Sequence, residues 1–325
     1  MTTITELSAP PTDLEVDHWW AVLTAARTAD LPQLPAPSRG EVAGRLRVLP
    51  ARGRAVHWAS EEAIASLLLF TDGSNEHTAH LDLLTVRPDA RRRGAGAALW
   101  QRIRAELLAQ GRTSVSAEVD LDGPGEAFAR SLGFENVLPM AWYVQDVQEA
   151  RARFGAETPA STPTPPGYEL LCWPGLVPDA WAEASAVAHG AMEDAPSGDL
   201  DQRTPTWTAE RLHASQRLIL ARGGALTTVA AVTPQGEVAA YTELALPDPA
   251  GPRALQYDTA VVPAHRGHGL GRAVKLRMLA QTADHHPALR HIATSVADDN
   301  APMLGVNTAL GYRRERGLGY FQLTL

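Results

Sequence analysis

Residues 257–278 read YDTAVVPAHRGHGLGRAVKLRM, and the fold of the chain is decided by how this stretch is read. Asp258 to Val262 predicts a strand, Pro263 opens a turn, Arg266 to Gly271 is punctuated by glycines, and Arg272 to Thr282 predicts a helix. A strand that empties through glycines into a helix N-terminus leaves unpaired backbone N–H groups at the positive end of the helix dipole. That is what a diphosphate needs. The glycines let the backbone approach a ligand closely, and Arg266 and Arg272 add charge at the rim. The cradle so defined comprises Val261, Val262, Arg266, Gly267, His268, Gly269, Leu270, Gly271 and Arg272.

Spacing excludes two phosphate ligands. A P-loop requires Lys-Ser/Thr after its last glycine, where this chain has Arg272-Ala273. A dinucleotide fingerprint needs a small residue three positions beyond its second glycine, where Arg272 or Val274 stands. What remains is Val261-x-Pro263-x-x-Arg266-x-x-Gly269-x-Gly271, and the same skeleton occurs upstream as Val86-x-Pro88-x-x-Arg91-x-x-Gly94-x-Gly96, with every fixed position displaced by 175 residues. The upstream cradle adds Arg92 and Ala95. A second echo follows each copy: Leu132-Gly133-Phe134, then Leu310-Gly311-Tyr312.

This pattern resembles the acetyl-coenzyme A signature, Arg/Gln-x-x-Gly-x-Gly/Ala, of the GCN5-related N-acetyltransferase (GNAT) family, and the Leu-Gly-aromatic echo resembles that family's helix end. The doubling is similar to the layout of its tandem members. The resemblance implies an α/β fold of two tandem GNAT domains, each a mixed, mostly antiparallel sheet flanked by helices. Residues 1–150 form the expected N-terminal domain, cofactor-binding or structural. Residues 151–167, rich in Pro and Thr, form a linker, and residues 168–325 form the expected catalytic domain. The implied activity is transfer of an acetyl group from acetyl-CoA to the primary amine of a small molecule. A non-catalytic acyl-CoA sensor or scaffold, and a transferase using a longer acyl-CoA, are the competing readings.

Composition is consistent with this. The 325 residues suffice for two domains with their own cores. A single cysteine, Cys172, and no leader-like N-terminus predict a cytoplasmic protein, and no apolar run is long enough for a membrane helix. The formal charge of −8 argues against nucleic acid and fits a cationic acceptor. A monomer or homodimer is expected. His285, His286 and His291 form no metal-binding pattern, so no metal is expected.

Along the chain, helices are predicted at Asp17 to Ala29, from Ser38, from Pro178 to Met192 and from Thr208 to Gln216, with Arg217 to Arg222 read as a strand. A final strand is predicted at Gly319 to Leu323. The acidic loop Glu193, Asp194, Asp199 and Asp201 falls where the family shapes its acceptor site, and it reads either as a cation-attracting lip or as a solvated loop.

In the family, a backbone N–H on the strand entering the cradle stabilises the oxyanion, which points to Ala260, Val261 or Val262. For the base, Asp258 and Glu243 are candidates, with Glu243 preferred because apolar neighbours would raise its pKa. The first half offers only Asp82. The tyrosine that serves the family as general acid is replaced by Ala129 and Asn307. Asn307 is expected to hydrogen-bond the thiol or a water, and Tyr312 to pack. Asn300 matches an asparagine that contacts the pantetheine arm, and it also reads as an N-cap.

Overall fold

The apolar runs at Ala63 to Phe70 and Val238 to Leu246 become central strands because both of their faces are covered; the second is buried at every position. The computed structural model describes residues 3–155 and 163–325, apart from the side chains of Ala283 and Asp284. It is α/β throughout, with mixed sheets flanked by helices.

In chain order the elements are β1 (Thr5–Glu6), α1 (Asp13–Asp30), α2 (Arg39–Arg47), β2 (Gly53–Ala59), β3 (Ala63–Phe70), β4 (Thr78–Val86), α3 (Ala95–Ala109), β5 (Ser114–Asp120), α4 (Pro124–Ser131) and β6 (Glu135–Asp146). There follow α5 (Val147–Phe154), β7 (Glu169–Pro174), α6 (Asp179–His189), α7 (Ala209–Ala221), β8 (Ala225–Val232), β9 (Val238–Leu246), β10 (Arg253–Val261), α8 (Leu270–His285), β11 (His291–Ala297), α9 (Ala301–Ala309) and β12 (Arg313–Thr324).

Two compact units result, and their membership does not follow one cut of the chain. The first holds residues 1–140, 197–203 and 317–325; the second holds 141–196 and 204–316. In the first, β1 to β5 lie side by side in chain order, antiparallel except for the parallel pair β4 and β5. Leu318 to Thr324, at the very end of the chain, pair antiparallel with β5. In the second, the order is β11-β10-β9-β8-β7, with β10 and β11 as the parallel pair. Each parallel pair is short. β10 meets β11 only from Arg253 to Leu255, and β4 meets β5 from Thr78 to Leu81. Beyond those points the pairing stops, on the cradle side, and a register shift in the antiparallel neighbour accompanies it in both units, between Gln256 and Thr259 and between Ser66 and Leu67.

Helix faces explain the layering. Val16, Trp19 and Val22 of α1 close one core of the first unit with Val42 and Leu46 of α2. In the same unit α3 buries Leu99, Trp100, Ile103 and Leu107 on the opposite side of the sheet.

Several expectations are corrected. Arg217 to Arg222 is not a strand: α7, capped by Thr208, continues to Ala221. α5 occupies the first residues of the expected 151–167 linker, with Asp146 as its cap, while residues 156–162 lie outside the described part. β12 begins six residues before the expected final strand. No described helix is long and apolar enough to cross a membrane.

Candidate functional site

The two cradles are built alike. Pro263–His265 and Pro88–Ala90 each form a short 3-10 turn, and the helix that follows starts on a glycine with positive φ, Gly269 at 75° and Gly94 at 93°. Neither helix start has a side-chain cap, so the first-turn N–H groups stay available to an outside acceptor. A Cβ placed on Gly267 or Gly269 would meet nothing within 4 Å, so the backbone there is open to an approaching ligand rather than packed against the protein. These residues fit a diphosphate. In the first cradle Arg92 occupies the place of Gly267 and keeps a φ of 63°, at a cost of about 1 to 2 kcal/mol for a non-glycine residue.

The first arginine of each motif acts as a brace. Arg266 Nε donates to Val261 O at 3.2 Å and Nη2 to Asp194 at 2.5 Å. Arg91 Nε donates to Val86 O at 3.1 Å, and its two Nη atoms reach Asp30 at 2.7 Å each. Both fasten the strand end to the turn. His268 is exposed and its Nδ1 lies 3.2 Å from His265 O, while Arg272 stacks on Phe154. Leu270 is buried, and Gly271 packs under Val261. In the first unit Ala95 is buried and Gly96 packs between Val86 and Phe128.

On the other face of the second unit's sheet, Glu243 of β9 and Asp258 of β10 come together with His189, the last residue of α6. One ligand-type atom from each lies within 4.8 Å of the others. His189 is 1% exposed, stacks on the Tyr241 ring at 3.9 Å, and its Nε2 stands 3.8 Å from Glu243 Oε1. Gln216 Nε2 donates to Glu243 at 3.1 Å and Thr228 Oγ1 at 3.4 Å. Tyr241 and Trp207, whose rings lie 3.9 and 4.8 Å from that of His189, belong to the apolar cluster of Trp173, Leu212, Ala230 and Ala260.

That environment divides the two carboxylates. Burial pushes Glu243 upward, but His189, Gln216 and Thr228 outweigh it, and the carboxyl lies below its ordinary value. Asp258, half-buried, is pushed up to about 6 by burial and then by the charge of Glu243. His189 is lowered by burial and raised more by Glu243. The expected order is thereby reversed: Glu243 is a fixed anion, and Asp258 is the carboxylate poised near neutrality. Sequence reasoning missed His189, a lone histidine at a helix end with no local signal.

The register shows what the first unit lacks. Val261 faces Ala240 and Val86 faces Ala63, so Ser66 stands in the place of Glu243, and Leu83 in that of Asp258. Asp82 lies one position off, paired to Arg45 at 3.4 Å on the surface. Asp82→Ala should therefore leave turnover within about twofold of wild type, as for a surface substitution away from the site; a steady-state assay checks it.

The acidic loop is divided between the units. Asp194 belongs to the second, on Arg266, and Glu193 is exposed. Asp201 is held in the first unit by His77 and Ser114 at 2.8 Å each, and Asp199 donates its N–H to Val137 O. The four acidic residues therefore do not act as one group. Asn300 caps α9, its side chain accepting from Met303 N at 3.2 Å. Asn307 is buried against Lys275, a residue the sequence reading passed over.

Comparisons with known proteins agree with this geometry. The acetyltransferase (GNAT) family profile matches residues 11–134 and 192–312. A mycothiol acetyltransferase from Catenulispora acidiphila is 29% identical over 264 residues, covering 78% of this chain and 76% of that protein. A solved tandem GNAT protein from the clavulanic acid biosynthesis pathway, determined without acetyl-CoA, superposes with a TM-score of 0.81 at 26% identity, covering 100% of this chain and 98% of its own. A GCN5-related N-acetyltransferase from Sphaerobacter thermophilus shares the fold at a TM-score of 0.68 and 15% identity, covering 99% of this chain and 95% of its own.

Proposed function

The chain belongs to the acetyltransferase (GNAT) family, and from that premise we propose that it transfers an acetyl group from acetyl-CoA to the primary amine of a small molecule, in its second unit and in the cytoplasm. Acetyl-CoA supplies an activated acyl thioester when bound. The cradle from Arg266 to Arg272 would hold its diphosphate through the N–H groups at the start of α8. Asp258 takes a proton from the incoming ammonium, directly or through a water, so that neutral nitrogen is presented. Glu243 and His189, fixed by Gln216, Thr228 and Tyr241, keep Asp258 desolvated and poised. Val262 gives its N–H to Ala239 O at 2.9 Å, so by strand alternation it is the N–H of Val261 that would face the developing oxyanion.

The observation that carries this reading is the joining, through β10, of an uncapped glycine cradle that follows the strand with Asp258 on it, which meets Glu243 of β9 and His189 of α6. In the first unit the cradle is kept while Ser66 and Leu83 replace the carboxylates, which supports cofactor binding there without turnover. The test is thiol release from acetyl-CoA by the purified protein against a panel of small amines, aminoglycosides and peptides. Release that depends on one class of small amine, with the acetylated amine identified by mass, is expected. No amine-dependent release across the panel would remove the proposal in favour of a binding protein.

A further inference from the structure

Lys275 is the only lysine in the sequence; the rest of its 29 lysine and arginine residues are arginine. It sits in the second turn of α8, directly behind the cradle, and is 4% exposed. Its Nζ donates to Asn307 Oδ1 at 2.6 Å and stands 4.8 Å from the Tyr312 ring centre. Among the described residues no carboxylate faces it from α9, β10 or β12: the groups packed there are Asn307, Gln256 and Tyr312. Burial alone pushes its pKa down to about 7.

The surroundings are arranged as a seam. Asn307, 1% exposed, gives its carbonyl to Lys275 and leaves Nδ2 buried without a partner. Tyr312 donates to Gln256, and Gln256 Nε2 donates to Thr242 Oγ1 at 2.9 Å. Gln256 follows Leu255, the last residue of β10 paired to β11. The seam therefore lies where the two strands part, and the gap runs from there to the cradle end of β10 at Val261, about 16 Å at the usual strand rise. The arm joining the diphosphate of coenzyme A to its sulfur has a comparable reach. A buried cation without a counter-charge is costly. An arginine there could not lose its proton; a lysine can.

We propose that Lys275 is the proton donor to the leaving sulfur in the second unit, with Asn307 as the residue that positions its Nζ. This rests on the acetyl-transfer reading above. As the amine nitrogen bonds to the acyl carbon and the carbon–sulfur bond breaks, the electron pair stays on sulfur and Lys275 Nζ gives it a proton. The nitrogen's surplus proton passes to Asp258, which has by then released the ammonium's proton to solvent, and Lys275 is recharged from solvent. A cation beside the forming thiolate stabilises it in a site of low polarity.

Because there is one lysine, labelling with carbon-13 lysine gives a single side-chain signal to titrate by NMR. Saturation with coenzyme A should move its titration midpoint by at least about one unit, because the ionisation of the adjacent thiol then couples to that of the amine, and desulfo-coenzyme A should not. In Lys275→Met, kcat should fall on the order of 10²-fold, with the Kd for acetyl-CoA changing far less and the melting temperature not lowered. If the variant fails to fold, the NMR titration of the wild type still decides. Equal midpoints with coenzyme A and its desulfo analogue, or a mass gain of one acetyl group on Lys275 after incubation with acetyl-CoA, would overturn the proposal. An amine panel with no turnover while the midpoint still moves would count against the acetyl-transfer reading and not against the place of Lys275 beside the sulfur.

Discussion

Asp258→Asn should lower kcat by about 10² to 10⁴-fold, the range for losing a general base, with acetyl-CoA affinity nearly unchanged. Asparagine keeps the size and polarity of the group but cannot accept a proton. In the wild type the base must be ionised to act, so kcat should fall as pH drops through about 6, and that limb should be absent in the variant. The stability signs differ between the two carboxylates. The folded-state pKa of Asp258 is raised, so its contribution to stability is present at low pH and lost as pH rises through about 6. Asp258→Asn should then melt no lower than wild type at pH 8. That of Glu243 is depressed, so its contribution is present above the unfolded value and lost as pH falls through the folded one. Glu243→Gln should melt lower at pH 8. Thermal melts and pH–rate profiles of both variants separate the poised base from the fixed anion; identical behaviour would undo the division.

The second large effect is on the cradle. Gly269 holds a φ of 75°, which valine adopts only at a cost, and a Cβ on Gly271 comes to 3.6 Å from Val261 before its two methyls are added. Gly269→Val with Gly271→Val should displace the N–H groups that hold the diphosphate. Losing two charge-assisted hydrogen bonds at about 1.5 kcal/mol each weakens binding on the order of 10²-fold. With both cradles competent, calorimetry should count two acetyl-CoA per wild-type chain and one per double variant at the same concentrations. One per chain in the wild type would mean that the strained Arg92 cradle is a relic.

What could be read from the sequence was what leaves a local mark. Gly94 and Gly269 need positive φ, Pro88 and Pro263 fix the turns, and these requirements recur at constant spacing because both helices start the same way. The site was legible only in part, since its chemistry is assembled across elements. His189 comes from α6, Gln216 from α7 and Thr228 from β8, and without them Glu243 reads as a carboxylate among apolar residues. The bulges hid more. The pairing of Ala63 with Val86 puts Ser66 level with Glu243, and the shift just beyond it leaves Asp82 out of the ladder, which no alternation counted along one strand reveals. Arg217 to Arg222 encloses the short apolar run Leu218 to Ala221, which reads like a buried strand, yet it follows a Thr208 cap that commits the segment to α7. The exchange of Leu318 to Thr324 into the first unit is a matter of pairing partners, invisible in any local pattern.

The central claim is that turnover belongs to the second unit. The direct measurement is the rate of amine-dependent thiol release by the chain carrying Gly269→Val and Gly271→Val, with its first cradle intact and saturated with acetyl-CoA. The account predicts that kcat/KM for acetyl-CoA falls on the order of 10²-fold, in step with the lost affinity of the second cradle. Turnover at the wild-type rate in that variant would place the reaction in the first unit and contradict the assignment of Asp258, Glu243 and His189 to catalysis.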